Sequence, residues 1–472
     1  MTLEKVKYKK FILPLLVGLI IWFASPVKPD SVSMAAWHMF AIFVATIIGC
    51  ITQPLPIAGV ALVGFVLTVL LNIVPMETAV TGFGNKTVWL IVMAYCLSRG
   101  FVKTGLGRRI ALLFVRLFGK RTLGLAYSLV GVDLILSPAT PSNTARAGGI
   151  VYPILESLAK TFGSDPKDGT ERKMGSFLTF VEFHGNIITS GMFMTAMAPN
   201  LLAVSLAKAA HVNITWMSWF LAGLVPGIIS LLVVPFLIYK MYPPEIKDSP
   251  NAKSWAEGEL SDMGPMSIAE KIMTGVFVGA LLLWILSSFI GIDAATVAFL
   301  AVAVLVVCGV LSVSDILHET GAWSTLIWFS ILIFMANELT ELGFIPWLSK
   351  ALGGSLNGMN WGIVLAILLV FYFYSHYLFA SGTAHVSAMY AALLGVAIAA
   401  GVPPMLAATL LAMCGALYSS TSHYASGPAT LLFGTGYVKQ ADWWRMNAIL
   451  GVFYIVVWFG IGALWTKVLG FW

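Results

Sequence analysis

A Ser-x-Thr tripeptide occurs twice in this chain, as Ser142-Asn143-Thr144 in the run PSNTARAGG and as Ser381-Gly382-Thr383 in the run ASGTAHVSA. Both copies sit in stretches that are otherwise apolar enough to be buried in lipid. Small hydroxyl and amide residues, broken by Gly or Pro at membrane depth, are typical of a pocket where a helix has opened around a polar solute. Two related copies predict that this pocket forms between two repeats.

A second interruption follows each tripeptide. The run ITSGMFMTAMAPN ends at Pro199-Asn200, and SSTSHYASGPA centres on Ser426-Gly427-Pro428. Proline within a helix removes a hydrogen bond and crowds the preceding turn, so both runs predict broken spans. We expect each break to face a tripeptide, with two half-helix N-termini at the site. The predicted binding residues are Ser142, Asn143, Thr144, Asn200, Ser381, Gly382, Thr383, Ser426, Gly427 and Pro428.

Donor groups and positive helix ends favour an anion, most simply a carboxylate, at two points related by pseudo-symmetry. A substrate with two carboxylates fits this duplication. Three further candidates near the site are Arg146, His385 and His423. Arg146 would either screen a bound dianion or brace its hairpin through backbone carbonyls. Each histidine would contact substrate, although His423 has the alternative of capping the broken helix.

Glu182 and His184 lie in the span before the first broken helix. Two interpretations stay open for this pair. The first is a structural network of buried polar groups. The second is coupling of transport to protons, since ionisable residues within a span are costly and often functional.

Composition places the chain among multi-pass membrane proteins of the cytoplasmic membrane. Hydrophobic residues make up 59% of it and charged residues only 10%, which excludes a soluble domain of this length. Most of the cations that give the net charge of +6 lie in loops beside spans, so they report orientation rather than a nucleic-acid partner. The single cysteines show no spacing of a metal site or disulfide framework and are predicted to be core residues: Cys50, Cys96, Cys308 and Cys414.

The loop charges predict the topology. A cytoplasmic N-terminus is indicated by Lys5, Lys7, Lys9 and Lys10. Spans are expected near 11–26, 34–53, 56–75 and 87–98, followed by a basic amphipathic stretch that includes Arg99, Lys103 and Arg108. The apolar segment 122–157 starts and ends at basic loops, which is the pattern of a re-entrant hairpin on the inner face. Segment 360–400 is expected to form the matching hairpin on the outer face.

The fold class is therefore predicted as all-α, with about 11 spans and two inverted repeats, each holding a re-entrant hairpin and a broken helix. We divide the chain into N-terminal scaffold spans (1–86), a first repeat (87–241), a cytoplasmic linker (242–267), further scaffold spans (268–320) and a second repeat (321–472).

The motifs SNTARAGG, GNIITSGMFMTAMAPN, SGTAH and SHYASGPATLLFGTGYV resemble the divalent anion:sodium symporter family, carriers of di- and tricarboxylates. They are closest to its branch of bacterial citrate/succinate and tartrate/succinate antiporters and plastid 2-oxoglutarate/malate translocators. The resemblance implies a homodimer in the lipid bilayer, no cofactor, and an elevator mechanism with a static scaffold and a moving transport part. Sodium-coupled members carry Ser-Asn-Thr in both tripeptides, whereas this chain has Gly382 in the second.

Because glycine offers only backbone oxygen, this departure favours sodium-independent exchange of dicarboxylates or citrate. A sodium-coupled symporter is the alternative, since the first tripeptide is intact. An intramembrane hydrolase could use Ser381 with His385, or Ser422 with His423, but no nucleophile-elbow or H-E-x-x-H run is present. A channel would need a repeated filter along a pore, whereas the polar groups here concentrate at one depth.

Overall fold

The structure is a computed structural model that describes residues 6–354 and 358–472, and every regular element in those ranges is helical. Lys5, one of the predicted N-terminal cations, lies outside the described residues. The helices of the first half are α1 Ile12–Phe23, α2 Met34–Thr52, α3 Ile57–Leu70, α4 Lys86–Thr104, α5 Leu106–Phe118, α6 Thr122–Leu136, α7 over residues 143–161, α8 Gly175–Met192, α9 Ala198–Ala209 and α10 Trp216–Met241.

The second half repeats much of this order. Its helices are α11 Asn251–Asp262, α12 Ile268–Ile290, α13 Ala294–Val307, α14 Thr320–Glu341, α15 Phe344–Gly354, α16 Trp361–Ser375, α17 Gly382–Ala399, α18 Pro404–Leu417, α19 Gly427–Gly434 and α20 Gln440–Val468. Short helices at Met76–Ala79 and Val313–Leu317 precede α4 and α14.

Local signals in the sequence explain where many helices begin and end. Ser33 caps α2 by accepting the Ala36 amide at 3.1 Å, and Ser267 forms a capping box with Glu270 at the start of α12. Gly105 ends α4 and Gly291 ends α12 in left-handed conformations (φ 77° and 69°), which glycine adopts without steric cost.

Two helical hairpins enclose the Ser-x-Thr tripeptides. In the first, α6 and α7 are joined by the turn that holds Ser142; in the second, α16 and α17 are joined by the turn that holds Ser381. One turn after each tripeptide the returning arm contains a π-helical segment, Ala147–Val151 and Val386–Tyr390. The shared irregularity shows that the two hairpins are built alike.

Each half also contains a broken helix. The backbone is extended at Phe193 and Met197 between α8 and α9, and extended again at Ser426 between α18 and α19. Pro199 and Pro428 lie in the first turns of α9 and α19, where the missing proline N–H leaves no carbonyl without its partner.

The helices pack in two groups, and each group contains helices from both halves of the chain. In one, α8 packs against α6, α10 and α18, and α9 packs against α18. In the other, α14 packs against α3 and α4, while α4 packs against α13. Every residue of α8 is buried, so this helix forms the centre of the first group.

Eight described helices are long and apolar enough to cross a membrane, and the bent pair Met76–Gly84 and Lys86–Thr104 adds a ninth. Three shorter apolar helices are Ile57–Leu70, Ala294–Val307 and Pro404–Ser420. The all-α, multi-pass prediction is therefore confirmed. The number of about 11 spans and the domain boundaries stay predictions.

Several sequence boundaries change in the structure. The predicted span 87–98 continues as a helix to Thr104. Its last turn can hold the cation Lys103 because Lys103 pairs with Asp315 at 2.6 Å. That hydrogen bond holds the pKa of the Asp315 carboxyl below its ordinary value. The first hairpin reaches Thr161 rather than residue 157. The linker 242–267 contains α11, which packs against α5.

Three of the four cysteines are buried as expected, whereas the prediction for Cys308 is wrong, since it is exposed at the end of α13.

Because the loops around the first hairpin are basic, we expect both of its ends to face the cytoplasm and both ends of the second hairpin to face outward. Single cysteines at exposed residues test this in a cysteine-free background. Lys120→Cys and Lys167→Cys should react with an impermeant maleimide only from inside, and Met359→Cys and Ala399→Cys only from outside.

Labelling of the two ends of one hairpin from opposite sides would contradict the re-entrant topology. The flanking glycines make poor probes. A Cβ at Gly119 would lie 2.3 Å from the Val115 carbonyl oxygen, and Gly163 has a φ of 67°.

Candidate substrate site

The two hairpin turns and the two helix breaks meet at one cavity of about 420 Å³. These four segments line one side of the cavity, mostly with small or polar residues: Pro141, Ser142, Asn143, Thr144, Met197, Ala198, Pro199, Ala380, Ser381, Gly382, Thr383, Ser419, Ser426 and Gly427. The structure thus brings together eight of the ten predicted binding residues.

Four helix N-termini point their first residues at this cavity, rather than the two expected from the sequence. They are the starts of α7, α9, α17 and α19. Each start carries backbone N–H groups without helical acceptors and the positive end of a helix dipole. No charged side chain of the described residues lines the cavity, so its attraction for an anion comes from these ends and from neutral donors.

Serine caps hold three of these ends in shape. Ser142 accepts the Ala145 amide at 3.1 Å, Ser381 the Ala384 amide at 3.4 Å, and Ser426 the Ala429 amide at 3.3 Å. Each cap uses an acceptor lone pair of the hydroxyl, which leaves its O–H free to donate to a ligand.

The amide of Asn143 is used in a similar way. Its Oδ1 accepts the amide of Thr144 at 3.0 Å, and its backbone carbonyl accepts Nδ2 of Asn186 at 3.2 Å. The NH₂ group of Asn143 is therefore the part that can serve a ligand, and it can only donate.

The opposite wall comes from the other group of helices, and sequence reasoning missed it as a binding surface. Its residues are Gln53 at the end of α2, Tyr95 on α4, and Gly321, Ser324, Thr325 and Trp328 on α14. Two weak signals were present. Thr325 and Trp328 follow each other closely in the second half of the sequence, as Thr87 and Trp89 do in the first half. Gln53 is a polar residue directly after an apolar span, in a left-handed conformation with φ 49°.

Asn200 and Pro428 do not line the cavity. Asn200 is buried and donates from Nδ2 to the carbonyls of Ser190 at 2.7 Å and Phe193 at 3.1 Å. It ties α9 to the end of α8 and so fixes the shape of the break. Pro428 is buried within the first turn of α19. Both residues position the site from behind.

Arg146 is also absent from the cavity lining, and its contacts fit the bracing interpretation. The side chain is fully buried and pairs with Asp133 at 3.1 Å. Its NH1 donates to the carbonyl of Thr140 at 2.6 Å and to that of Ala196 at 2.7 Å. Arg146 therefore joins the first hairpin turn to the unwound segment between α8 and α9.

His385 occupies the same position relative to the second tripeptide, four residues after its serine. It lies behind the turn, with its Nε2 3.0 Å from the Ser375 hydroxyl and its Nδ1 2.9 Å from Nδ1 of His376. The Nε2 of His376 lies 2.8 Å from the Ala425 carbonyl oxygen. Two neutral imidazoles satisfy this series of hydrogen bonds. The series joins the second hairpin to the break before α19.

His423 is turned away from the cavity, where Trp444 donates to its Nδ1 at 3.1 Å. Ser426, not His423, caps α19. Neither hydrolase pair has its nucleophile bonded to its base. Among the described contacts the Ser381 hydroxyl accepts a backbone amide, and His385 bonds Ser375 and His376. The Ser422 hydroxyl has no described partner, and the Nδ1 of His423 bonds Trp444. Nucleophilic catalysis needs that direct contact.

The sodium:sulfate symporter transmembrane-region family model matches residues 5–472, nearly the whole chain. The chain belongs to this family. Its members are carriers, so the protein is a multi-pass integral membrane carrier and not an enzyme. The resemblance carried by the Ser-x-Thr motifs is confirmed.

Relatives in this family cover the chain almost completely. A putative malate transporter of Bacillus subtilis, YflS, is 52% identical over 468 residues, which is 99% of this chain and 98% of the relative. Chloroplastic dicarboxylate transporter 1 of Spinacia oleracea is 44% identical and covers 98% of this chain and 82% of its own. The L-tartrate/succinate antiporter of Escherichia coli O157:H7 is 39% identical, covering 97% and 98%.

Solved structures share the fold at low sequence identity. MtrF of Neisseria gonorrhoeae aligns with a TM-score of 0.57 at 12% identity over 97% of this chain and 94% of its own. The YdaH transporter of Alcanivorax borkumensis aligns with a TM-score of 0.54 at 12% identity, covering 86% and 88%.

Removing single donors from the hairpin turns tests the site. Asn143→Ala and Thr383→Ala should each weaken substrate affinity about ten- to a hundred-fold, since a hydrogen bond to a charged group contributes roughly 1.5 to 3 kcal/mol. Ser142→Ala should do the same and also lower stability through the lost cap. Radiolabelled uptake by purified protein in liposomes measures the effect, with Thr161→Ala at the far end of α7 as the control. Wild-type uptake in all three would sink the assignment.

Two glycines of the site differ in the space around them. A Cβ at Gly427 would lie 2.0 Å from Oγ1 of Thr144, whereas a Cβ at Gly382 would have its nearest neighbour at 3.6 Å. We expect Gly427→Ala to push Thr144 out of place and to abolish most uptake, because overpacking costs about 1 to 3 kcal/mol. Gly382→Ala should be nearly neutral. Equal loss in the two variants would contradict the close contact between α7 and α19.

Proposed function

We propose that this carrier exchanges one dicarboxylate for another across the cytoplasmic membrane without sodium. The observation that carries the proposal is the convergence of four helix N-termini and two Ser-x-Thr turns on one cavity without charged side chains. An acid with two carboxylates can place one against each hairpin turn, where backbone and hydroxyl donors replace the water it loses. Relatives named as malate, dicarboxylate and tartrate/succinate carriers support this substrate class.

The cavity volume suits a small acid. Small-molecule sites typically enclose about 300 to 1,000 Å³, and 420 Å³ lies near the lower end of that range. Acids of the succinate, malate, fumarate and 2-oxoglutarate type fit such a space, and citrate is the larger candidate. The wall of Tyr95, Thr325 and Gln53 supplies hydroxyl and amide groups that would recognise a substrate's own hydroxyl or keto group.

Sodium independence is supported by the oxygens at the second turn. Gly382 has no side-chain oxygen, and its carbonyl accepts the hydroxyl of Tyr418 at 3.0 Å. At the first turn the Asn143 Oδ1 and carbonyl both accept amide hydrogens. Hard cations such as sodium need several free oxygens. The Gly382 carbonyl, the Asn143 Oδ1 and the Asn143 carbonyl each already accept a hydrogen bond within the protein.

An elevator mechanism agrees with the way the helices divide. Both hairpins and both broken helices line one side of the cavity, and α2, α4 and α14 line the other. Movement of the first group past the second would carry the site across the membrane with its hydrogen bonds intact. The homodimer and the domain division at residues 86, 241, 267 and 320 are part of this proposal.

An exchanger should cross slowly when empty, since helix ends and hydroxyls would then pass the scaffold without an anion to satisfy them. We therefore expect uptake of labelled malate into liposomes to require a dicarboxylate inside. Replacing sodium by potassium or choline should leave the rate unchanged. Robust sodium-stimulated uptake into vesicles loaded with buffer alone would return the protein to the symporter class.

Gly382→Asn sharpens this test. A Cβ at Gly382 would meet no atom closer than 3.6 Å, and asparagine would add the amide oxygen that sodium-coupled members of the family have in this turn. We expect the variant to gain some sodium stimulation, while Gly382→Ala, which adds bulk without oxygen, gains none. Sodium stimulation in the alanine variant would show that bulk, not a ligand, is responsible.

A further inference from the structure

Glu182 lies on α8, at the centre of the first group of helices, and its charge has no partner among the described residues. The residue is fully buried on α8, and neither carboxyl oxygen has a hydrogen-bond donor within the described ranges. Thr179 lies three residues before it and Asn186 four residues after it, so the three share one face of the helix. Thr179 Oγ1 and Asn186 Oδ1 also have no described partner. The face therefore holds more unpartnered acceptors than donors, since the Thr179 hydroxyl is the one unpartnered donor among these three side chains.

The nearby charges do not compensate an ionised Glu182. Two charged groups act on it, Asp133 of α6 and Arg146 of α7. Arg146 is committed to Asp133, to two backbone carbonyls and, from NH2, to the Ser190 hydroxyl at 2.9 Å. Asp133 and Arg146 cancel each other. An ionised Glu182 would leave one negative charge buried without a partner, which is strongly unfavourable.

A protonated Glu182 resolves both problems. The neutral acid removes the unpaired charge, and its O–H adds a second donor to a face on which acceptors outnumber donors. His184, two residues further on, does not share this role. Its ring nitrogens lie 2.9 Å from the Tyr454 hydroxyl and 3.1 Å from Asn447 Oδ1, so both nitrogens already have partners.

Glu182 is linked to the substrate cavity by a short path. Asn186, one turn along α8, donates from Nδ2 to Asp133 Oδ1 at 3.0 Å and to the carbonyl of Asn143 at 3.2 Å. Asn143 lines the cavity. A dianion bound at the turn and an ionised Glu182 would repel each other in a medium of low dielectric constant. Proton binding at Glu182 and dianion binding in the cavity must then favour each other, by equal factors.

We propose that Glu182 is a proton-binding site coupled to the dicarboxylate site, protonated whenever the dianion is bound. In the step itself one proton from solvent joins the carboxylate to form the neutral acid, with no other bond changed. Thr179 lies one turn nearer the start of α8, toward the loop predicted to be cytoplasmic. This inference rests on the proposed dicarboxylate function.

The test is the affinity of purified protein for fumarate, measured by calorimetry from mildly acidic to alkaline pH. Fumarate remains a dianion over this range, so its own titration does not interfere. Wild-type affinity should fall as the pH rises and the proton is lost, by up to about ten-fold for each pH unit. In Glu182→Gln, which fixes a neutral group of the same shape, affinity should no longer depend on pH. Glu156→Gln, an exposed acid on α7 that pairs with Lys160, should keep the wild-type profile.

A second readout follows the proton directly. In weakly buffered solution at alkaline pH, adding fumarate should make wild-type protein take up protons, as a pH-sensitive dye reports, and Glu182→Gln should take up none. Glu182→Met provides another neutral side chain of similar length should the glutamine variant fold poorly. The same pH dependence in wild type and both neutral variants would overturn the proposal. Absence of fumarate exchange in wild-type liposomes at every pH would instead overturn the proposed function.

Discussion

The rest of this structure depends on helix ends that lie at membrane depth. Each interrupted helix begins with backbone amides that have no helical acceptor, and the bilayer offers no bulk water to satisfy them. Four such ends meet at one cavity. The hydroxyls of Ser142, Ser381 and Ser426 satisfy one amide each. The amides that remain give the cavity its preference for an anion.

Open helix ends also need support from behind, and the two repeats supply it with different chemistry. At the first turn Arg146 joins the Thr140 carbonyl to the Ala196 carbonyl and carries a charge that Asp133 balances. At the second turn His385 and His376 reach the Ala425 carbonyl through uncharged rings. Removing one partner of a buried ion pair typically costs about 3 to 5 kcal/mol, because the other charge is left buried without a partner. The backbones of the two repeats follow similar paths, but the groups that support their turns differ in charge.

The sequence predicted the hairpin turns and the helix breaks because proline, glycine and hydroxyl residues are conspicuous inside apolar runs. It did not predict the wall of Tyr95, Thr325 and Gln53, since a single polar residue in a span looks the same whether it faces a cavity or a neighbouring helix. It left the role of Arg146 open for a related reason. A cation within a span requires a partner, but only the fold shows that the partner is Asp133 rather than a substrate.

The uncharged lining of the cavity affects whether the site can cross the membrane empty or only loaded. No charged side chain of the described residues lines the cavity, so a dianion there is stabilised by the helix ends and by neutral donors, and these move with it. The loaded site therefore carries the substrate's charge, while the empty site carries unsatisfied donors, and both are unfavourable in lipid for opposite reasons. Exchange avoids the second state altogether. It leaves the charge of the loaded site, to which the groups behind the turns add little, because Asp133 and Arg146 cancel each other and the proposed protonation of Glu182 avoids a further negative charge.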